Sequence, residues 1–180
     1  MLIRRDDSLL LVVDIQEKLA PAIHDTAQVT ANSVRLLRAA SQLKVPAFVS
    51  EQYVRGLGSS VEAIRNAAVD ALFFEKTHFS CAAEPGVIDL LRTTQCSQIL
   101  LTGTETHVCV LQTALGLQEA GFSVFLVADA ASSRTPENRQ AAIERMRAAG
   151  IHIVTTEMVL FEWLHRAGTE EFRALLPLIK

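Results

Sequence analysis

The chain has 180 residues, of which 49% are hydrophobic and 21% are charged, and its formal net charge is −3. This composition predicts one globular domain over residues 1–180 with a sizeable buried core, and it excludes a disordered chain. Because the charge is slightly negative and no block of basic residues occurs, we expect neither nucleic acid nor a membrane surface as a partner.

Short apolar runs alternate with segments of helical periodicity along the whole chain. The predicted strands are LLLVVD (9–14), PAFVSE (46–51), ALFFEK (71–76), SQILLTG (97–103), FSVFLVAD (122–129) and IHIVTT (151–156). Helices are predicted at 28–44, 61–67, 85–94, 107–120 and 135–150, with one or two more after residue 156, and GLGSS (56–60) is predicted as a loop. This alternation predicts an α/β three-layer sandwich, in which helices cover both faces of a parallel sheet.

The segment before Asp14, the apolar runs and the cysteines indicate the cellular compartment. The segment before Asp14 does not have the pattern of a signal peptide, and no apolar run approaches the roughly 18 residues of a membrane span. Cys81, Cys96 and Cys109 form no CxxC motif and imply no disulfide framework. We therefore expect a cytoplasmic protein.

Chemically useful side chains follow several predicted strands. Asp14 ends the first strand, Lys76 ends the third, and Cys109 lies in the first turn of the helix after the fourth. The carboxyl ends of parallel strands share one edge of the sheet, where ligands bind, so these three groups are expected to meet there. A helix N-terminus and an ammonium both favour a thiolate at Cys109, while Asp14 can act as general base.

Each of these residues also has an ordinary structural interpretation. An aspartate at a strand end often caps a loop, a lysine there is often solvated, and a cysteine is often a small apolar filler. Cys81 and Cys96 are interpreted as fillers of that kind. Arg134 either binds a substrate carboxylate or pairs with Asp129, and we favour the structural role. The predicted walls of a substrate pocket are Leu19, Gln52, Tyr53, Phe79 and Val108.

Several segments in order resemble one family of enzymes. LLLVVDIQEKL, FEKTHFS and LLTGTETHVCVLQTALGLQEAGFSVFLVADAASSR are similar to the strand with the catalytic aspartate, the lysine segment and the nucleophile block of isochorismatase-like cysteine hydrolases. That superfamily also includes nicotinamidases and N-carbamoylsarcosine amidase. DIQEKL, VSEQYVRGLGSSV and KTHFS resemble its isochorismatase-domain-containing subgroup most. The resemblance runs nearly from end to end.

The resemblance implies a Rossmann-like, six-stranded parallel sheet in the order 3-2-1-4-5-6. It implies a catalytic triad of Asp14, Lys76 and Cys109, and an oxyanion hole formed by the backbone N–H groups of Glu105 and Cys109. It also implies a cis peptide bond between Thr104 and Glu105, and a homo-oligomer. Nicotinamidases carry a metal-binding Asp-x-His segment after the second strand, where this chain reads SEQYVRGLGSS with no histidine. We therefore predict no metal and no cofactor.

These observations lead to one functional hypothesis and two alternatives. The hypothesis is a metal-independent cysteine hydrolase that cleaves a C–N bond of a small amide-like substrate through a Cys109 thioester. The first alternative is a catalytically silent binding or scaffold protein on the same fold. The second is a thiol redox-responsive protein, although no resolving cysteine is evident near Cys109 in the sequence.

Overall fold

A six-stranded parallel sheet forms the centre of the computed structural model, which describes residues 1–179. The strands are β1 (Ser8–Val13), β2 (Ala47–Gln52), β3 (Leu72–Lys76), β4 (Gln98–Thr104), β5 (Ser123–Ser132) and β6 (His152–Val154). Their order is β3-β2-β1-β4-β5-β6 and every pairing is parallel. The predicted α/β class and strand order are therefore confirmed.

The central strand β1 shows why its sequence is apolar at successive positions. All six of its residues are buried, and it pairs with β2 on one side and with β4 on the other. Leu10 and Val12 belong to one core cluster, whereas Leu9, Leu11 and Val13 belong to the other. Because successive side chains of a strand point to opposite faces, a strand covered on both faces is apolar throughout.

Helices cover both faces of the sheet. They are α1 (Thr26–Leu43), α2 (Val54–Leu57), α3 (Glu62–Ala67), α4 (Val87–Arg92), α5 (Leu111–Glu119), α6 (Pro136–Ala148), α7 (Thr156–Leu164) and α8 (Glu170–Ile179). One core includes side chains of α1, α3, α7 and α8, and the other includes side chains of α4, α5 and α6. Trp163 of α7 is 2% exposed and packs in the first core. No helix within residues 1–179 has the length and apolar character needed to cross a bilayer.

Three segments differ from the sequence prediction. The short helix α2 includes residues 56 and 57, the first two residues of the loop predicted at 56–60. The helix predicted at 107–120 starts instead with a π-helical turn, Thr106–Val110, which precedes α5. Strand β5 continues past its predicted end at Asp129 to Ser132, because its pairing with β4 shifts register between Leu101 and Gly103 and then resumes.

Candidate active site

Asp14 is the residue that follows β1, and its backbone is fixed from both sides. Its φ of 51° lies in the left-handed region, which aspartate tolerates better than most residues. Its N–H donates to the carbonyl of Ser50 at 3.2 Å, and its carbonyl accepts from the hydroxyl of Thr104 at 2.7 Å. The neighbouring strands β2 and β4 therefore hold the position from which the Asp14 side chain extends.

The end of β4 brings the nucleophile turn close to β1. Gly103 has a φ of +114°, and a Cβ atom there would lie 2.0 Å from the carbonyl oxygen of Val13, so no side chain fits. The peptide bond between Thr104 and Glu105 is cis. The π-helical turn Thr106–Val110 follows and carries Cys109. This path places the thiol directly beside the end of β1.

The side chains of Asp14, Lys76 and Cys109 meet in one buried cluster. The Lys76 Nζ atom lies 2.7 Å from Oδ2 of Asp14, and both side chains are 0% exposed. The hydroxyl of Ser50 donates to Oδ1 of Asp14 at 2.7 Å, and the Cys109 thiol, on a residue that is 5% exposed, lies near enough for the Asp14 charge to raise its pKa. Three segments distant in sequence thus bring an acid, an ammonium and a thiol together at the carboxyl edge of the sheet.

Burial controls the protonation of this cluster. It raises the pKa of the Asp14 carboxyl, although the Lys76 charge and the hydrogen bonds from Lys76 and Ser50 act in the opposite direction. Burial acts to lower the pKa of Lys76, but the negative charges available at Asp14, Cys81 and Cys109 outweigh it and raise that pKa. The ammonium is therefore the stable form of the lysine within the cluster.

The Cys109 thiol does not have the lowered pKa that its helical position suggested. Burial and the adjacent Asp14 carboxylate raise its pKa to about 12, and the favourable charge of Lys76 does not compensate. A nucleophilic role for Cys109 therefore requires a nearby base, and Asp14 is the carboxyl group whose charge acts on this thiol.

The five predicted pocket residues differ in burial and in their contacts with Lys76. Leu19 is buried at 9% exposure, Val108 is half-buried, and Tyr53 and Phe79 are more than half exposed. The N–H of Tyr53 donates to the Lys76 carbonyl at 2.9 Å, and the carbonyl of Phe79 accepts from Lys76 Nζ at 3.1 Å. Gln52 differs from the other four, because its side-chain oxygen itself accepts from Lys76 Nζ, at 2.5 Å.

A second charged pair lies beside the nucleophile turn. Arg134 donates to the Glu105 carboxylate through Nε at 2.7 Å and through Nη2 at 3.2 Å. The expected alternative partner, Asp129, instead accepts hydrogen bonds from the backbone and hydroxyl of Thr156. The predicted Arg134–Asp129 pair is therefore wrong, since Arg134 pairs with Glu105.

Cys81 is a member of the cluster that sequence reasoning missed. It is fully buried in a 3₁₀ turn, and its N–H donates to the hydroxyl of Thr113 at 2.9 Å. Burial and the Asp14 carboxylate raise its pKa to about 11. Nothing local in the sequence distinguishes it from an apolar filler, because its neighbours come from β2 and α5.

Within residues 1–179, no group of three or more histidine, cysteine, aspartate or glutamate side chains could hold a metal ion.

A family model and a relative with a similar sequence both identify the isochorismatase family. An isochorismatase domain model matches residues 8–158. Isochorismatase family protein 1B of Dictyostelium discoideum is 38% identical over 181 residues, which cover 97% of this chain and 87% of that protein.

Two solved structures have the same fold. The structure of MAR1 ribonuclease from Caenorhabditis elegans superposes with a TM-score of 0.93 at 36% identity, covering 99% of this chain and 92% of that one. YcaC from Pseudomonas aeruginosa, solved with hexane-2,5-diol and covalent acrylamide, superposes with a TM-score of 0.91 at 25% identity, covering 98% and 91%.

Proposed function

The chain belongs to the isochorismatase family, and from that premise we propose that it is a metal-independent cysteine hydrolase that cleaves a C–N bond of a small amide-like substrate. One observation carries the proposal. The Asp14 carboxyl group lies 2.7 Å from the Lys76 ammonium and its charge acts on the Cys109 thiol, in a cluster nearly closed to water. A base held between a nucleophile and a fixed positive charge is the arrangement that covalent catalysis requires.

The first half of the reaction forms a thioester. Asp14 takes the thiol proton as Cys109 Sγ attacks the substrate carbonyl carbon. The oxygen of the resulting tetrahedral intermediate is stabilised by the N–H groups of Glu105 and Cys109, a kind of contact typically worth about 3 kcal/mol. Asp14 then gives the proton to the leaving nitrogen, the C–N bond breaks, and an amine departs.

The second half of the reaction releases the acid. Water enters the position that the amine has left, and Asp14 accepts its proton as the oxygen attacks the thioester carbonyl. The C–S bond breaks, the proton returns to the sulfur, and a carboxylic acid leaves. Lys76 stays charged throughout, and its role is to stabilise the negative charge that alternates between Asp14 and the sulfur.

The raised pKa of the Cys109 thiol supports this order of events. With a pKa of about 12, the free thiolate is scarce at neutral pH, so proton transfer to Asp14 accompanies the attack instead of preceding it. The covalent acrylamide held by the P. aeruginosa relative is consistent with a reactive nucleophile in this fold.

The test is turnover of a library of small primary and secondary amides by the native protein and by Cys109→Ala. We expect release of amine and acid by the native protein only, unchanged by a metal chelator, and a thioester of Cys109 trapped by rapid acid quench. RNA serves as a further substrate, because the C. elegans relative is named a ribonuclease. Cleavage of RNA, or amide turnover that survives in Cys109→Ala, would contradict the proposal.

The redox-responsive alternative gains one observation from Cys81. This second thiol is fully buried, and the charges of Asp14 and Lys76 both act on its pKa. Hydrogen peroxide would convert the Cys109 thiol to a sulfenic acid, and attack by Cys81 would release water and form a disulfide. A Cys81–Cys109 disulfide found by peptide mass spectrometry, in a protein with no amide turnover, would favour this alternative over the hydrolase.

We also propose that the protein is a cytoplasmic homo-oligomer. The edge strand β3 and the loop before it expose apolar side chains, with Val69 at 74%, Leu72 at 45% and Phe73 at 38% exposure. An exposed apolar strand at a sheet edge is a surface that natural proteins usually cover. The mass from light scattering of the native protein, compared with that of Leu72→Lys, tests this; a native monomer would contradict it.

A further inference from the structure

We propose that Gln52 is a positioning residue that holds the Lys76 ammonium against Asp14, and that Gln16 holds Gln52 in turn. This inference rests on the proposed function, because it assigns a role within the same site. It concerns side chains that donate or accept hydrogen bonds inside the protein, and neither of them is required to touch the substrate.

The Lys76 ammonium has a complete set of hydrogen-bond acceptors. Nζ lies 2.5 Å from Oε1 of Gln52, 2.7 Å from Oδ2 of Asp14 and 3.1 Å from the carbonyl of Phe79, with the His78 carbonyl further away at 3.3 Å. An ammonium carries three protons, so the first three acceptors satisfy it. Gln52 is the only one of these side-chain acceptors that carries no charge.

The orientation of the Gln52 amide is fixed by a second contact. Its Nε2 donates to the carbonyl of Thr77 at 2.8 Å. Exchange of the amide oxygen and nitrogen would set an N–H group against the ammonium and an oxygen against a carbonyl, so both contacts would become repulsive. The oxygen therefore always faces Lys76, and the side chain, which is 8% exposed, has its polar groups committed within the protein.

Gln16 fixes the backbone of Gln52. Its Oε1 accepts from the Gln52 N–H at 2.7 Å, and its Nε2 donates to the Gln52 carbonyl at 2.9 Å and to the Gly58 carbonyl at 2.6 Å. Gln16 is 0% exposed, so water does not compete for these bonds. A side-chain amide thus replaces the strand-to-strand hydrogen bonds just where β1 ends and β2 reaches its last residue.

The physical need for such a device comes from the lysine itself. A lysine side chain has four rotatable bonds, and a buried ammonium is stable only where acceptors surround it. Gln52 supplies an acceptor without adding a second negative charge that would compete with Asp14. The charge of Lys76 is then directed to the carboxylate and the sulfur, where the proposed reaction develops negative charge.

The test compares Gln52→Met and Gln52→Glu with the matched control Gln98→Met in the full chain. Gln98 is also buried, at 2% exposure, and its amide also binds backbone groups, but at the opposite end of the sheet. The first readout is the rate of Cys109 alkylation by iodoacetamide between pH 7 and pH 10, which needs no substrate. The second is kcat and KM on an amide substrate, and the third is thermal unfolding.

We expect Gln52→Met to slow alkylation at pH 8 at least fivefold and to lower kcat at least tenfold, with KM within twofold. Gln52→Glu is expected to move the alkylation profile to higher pH, because a second carboxylate disfavours the thiolate. Gln98→Met is expected to leave alkylation and kcat within twofold. A merely structural role predicts that Gln52→Glu, which keeps the native shape, is the milder of the two changes at this position.

A folded Gln52→Met protein with an unchanged alkylation profile and unchanged kcat would overturn the proposal. If Gln52→Met does not fold, Gln52→Glu carries the test, and an unshifted profile in that variant overturns the proposal equally. A native protein without amide turnover would contradict the hydrolase function alone, since the alkylation profile still reports how Gln52 acts on Cys109 through Lys76.

Discussion

The amino edge of the central sheet, where the strands begin, and the carboxyl edge, where they end, bury polar side chains that have different roles. At the amino edge, the Gln98 amide accepts from the N–H of Arg4 at 2.7 Å and donates to the Leu2 carbonyl at 3.0 Å, while Asp7 accepts two hydrogen bonds from Ser97. At the carboxyl edge, Asp14 and Lys76 are fully buried in contact with each other.

This difference separates anchoring from reactivity. At the amino edge the bonds fasten the first residues of the chain to the start of β4, and the carboxylate there, Asp7, remains 19% exposed. At the carboxyl edge, water is excluded and the opposite charges of Asp14 and Lys76 lie near the Cys109 thiol. The pKa of each group therefore depends on the other two. The same residue types therefore hold the chain together at one edge and provide a chemical site at the other.

Asp14→Asn gives the largest expected effect. Loss of the base should reduce amide turnover about 10³-fold, within the range usual for general acid–base groups. It also leaves the buried Lys76 ammonium unpaired, which should lower the free energy of unfolding by about 3–5 kcal/mol. Steady-state kinetics and urea unfolding measure the two losses.

The double variant Asp14→Asn/Lys76→Met sharpens that result. It removes both charges, so the free energy of unfolding should recover while turnover stays low. Arg4→Gln at the amino edge, which breaks exposed ion pairs with Asp6 and Asp7, should change stability by less than about 1 kcal/mol and leave turnover unchanged. Recovery of activity in the double variant would refute the role of Asp14.

Gly103 and Gly121 differ in the space that each leaves for a Cβ atom, one at the carboxyl edge and one at the amino edge. Gly103, at the carboxyl edge, and Gly121, before β5 at the amino edge, both have positive φ, of +114° and +96°. A Cβ at Gly103 would meet the Val13 carbonyl oxygen at 2.0 Å, whereas at Gly121 it would meet nothing within 4 Å. Gly103→Ala should cost about 4 kcal/mol or more, and Gly121→Ala about 1 kcal/mol. Equal costs in chemical denaturation would contradict the close approach of β1 and β4.

The pH dependence of alkylation tests the protonation of Cys109. Because its pKa is raised to about 12, alkylation by iodoacetamide should continue to rise about tenfold per pH unit from pH 8 to pH 10. A free thiol such as glutathione, with a pKa near 8.5, should level off above about pH 9. Mass spectrometry of the Cys109 peptide gives the rate, and a plateau at or below pH 9 would show that the thiol is not shielded as described.

A further expected effect is a loss of stability at high pH. In the unfolded chain the thiols lose their protons near pH 9, whereas in the folded chain Cys81 and Cys109 keep theirs to about 11 and about 12. The contribution of these two thiols to the free energy of unfolding should therefore be constant below pH 9 and fall from there to pH 12, with Cys81 contributing on the order of 2 kcal/mol. Cys81→Ala should flatten this decline in pH-dependent unfolding, and Cys96→Ala should not.

Much of the fold could be predicted from the sequence because its signals are local. The run from Leu9 to Val13 indicates a strand covered on both faces, and Thr135 with Pro136 marks the start of α6, where the Thr135 hydroxyl accepts from the N–H of Asn138. The strand ends also indicated which edge would collect Asp14, Lys76 and Cys109. Each of these inferences depends on backbone geometry within a few residues.

Other features of the site depend on contacts across the chain. The Gln52 amide on Lys76, the Glu105–Arg134 pair and the Cys81 thiol near Ser50 join segments 24 or more residues apart. The raised pKa of Cys109 has the same origin, since burial and the Asp14 carboxylate act on the thiol from outside its own turn. No periodicity or spacing encodes how deeply a side chain is buried or which group faces it.

The sequence by itself determined the succession of strands and helices and the edge at which the reactive groups gather. Apolar periodicity and turn residues act through short-range geometry, which every segment carries with it. Only the tertiary structure determined the pKa values of the buried groups, the hydrogen-bonding partners of the polar side chains and the position of Cys81 in the buried cluster. Those properties come from solvent exclusion and from charges brought together across the fold, and they exist only once the sheet has assembled.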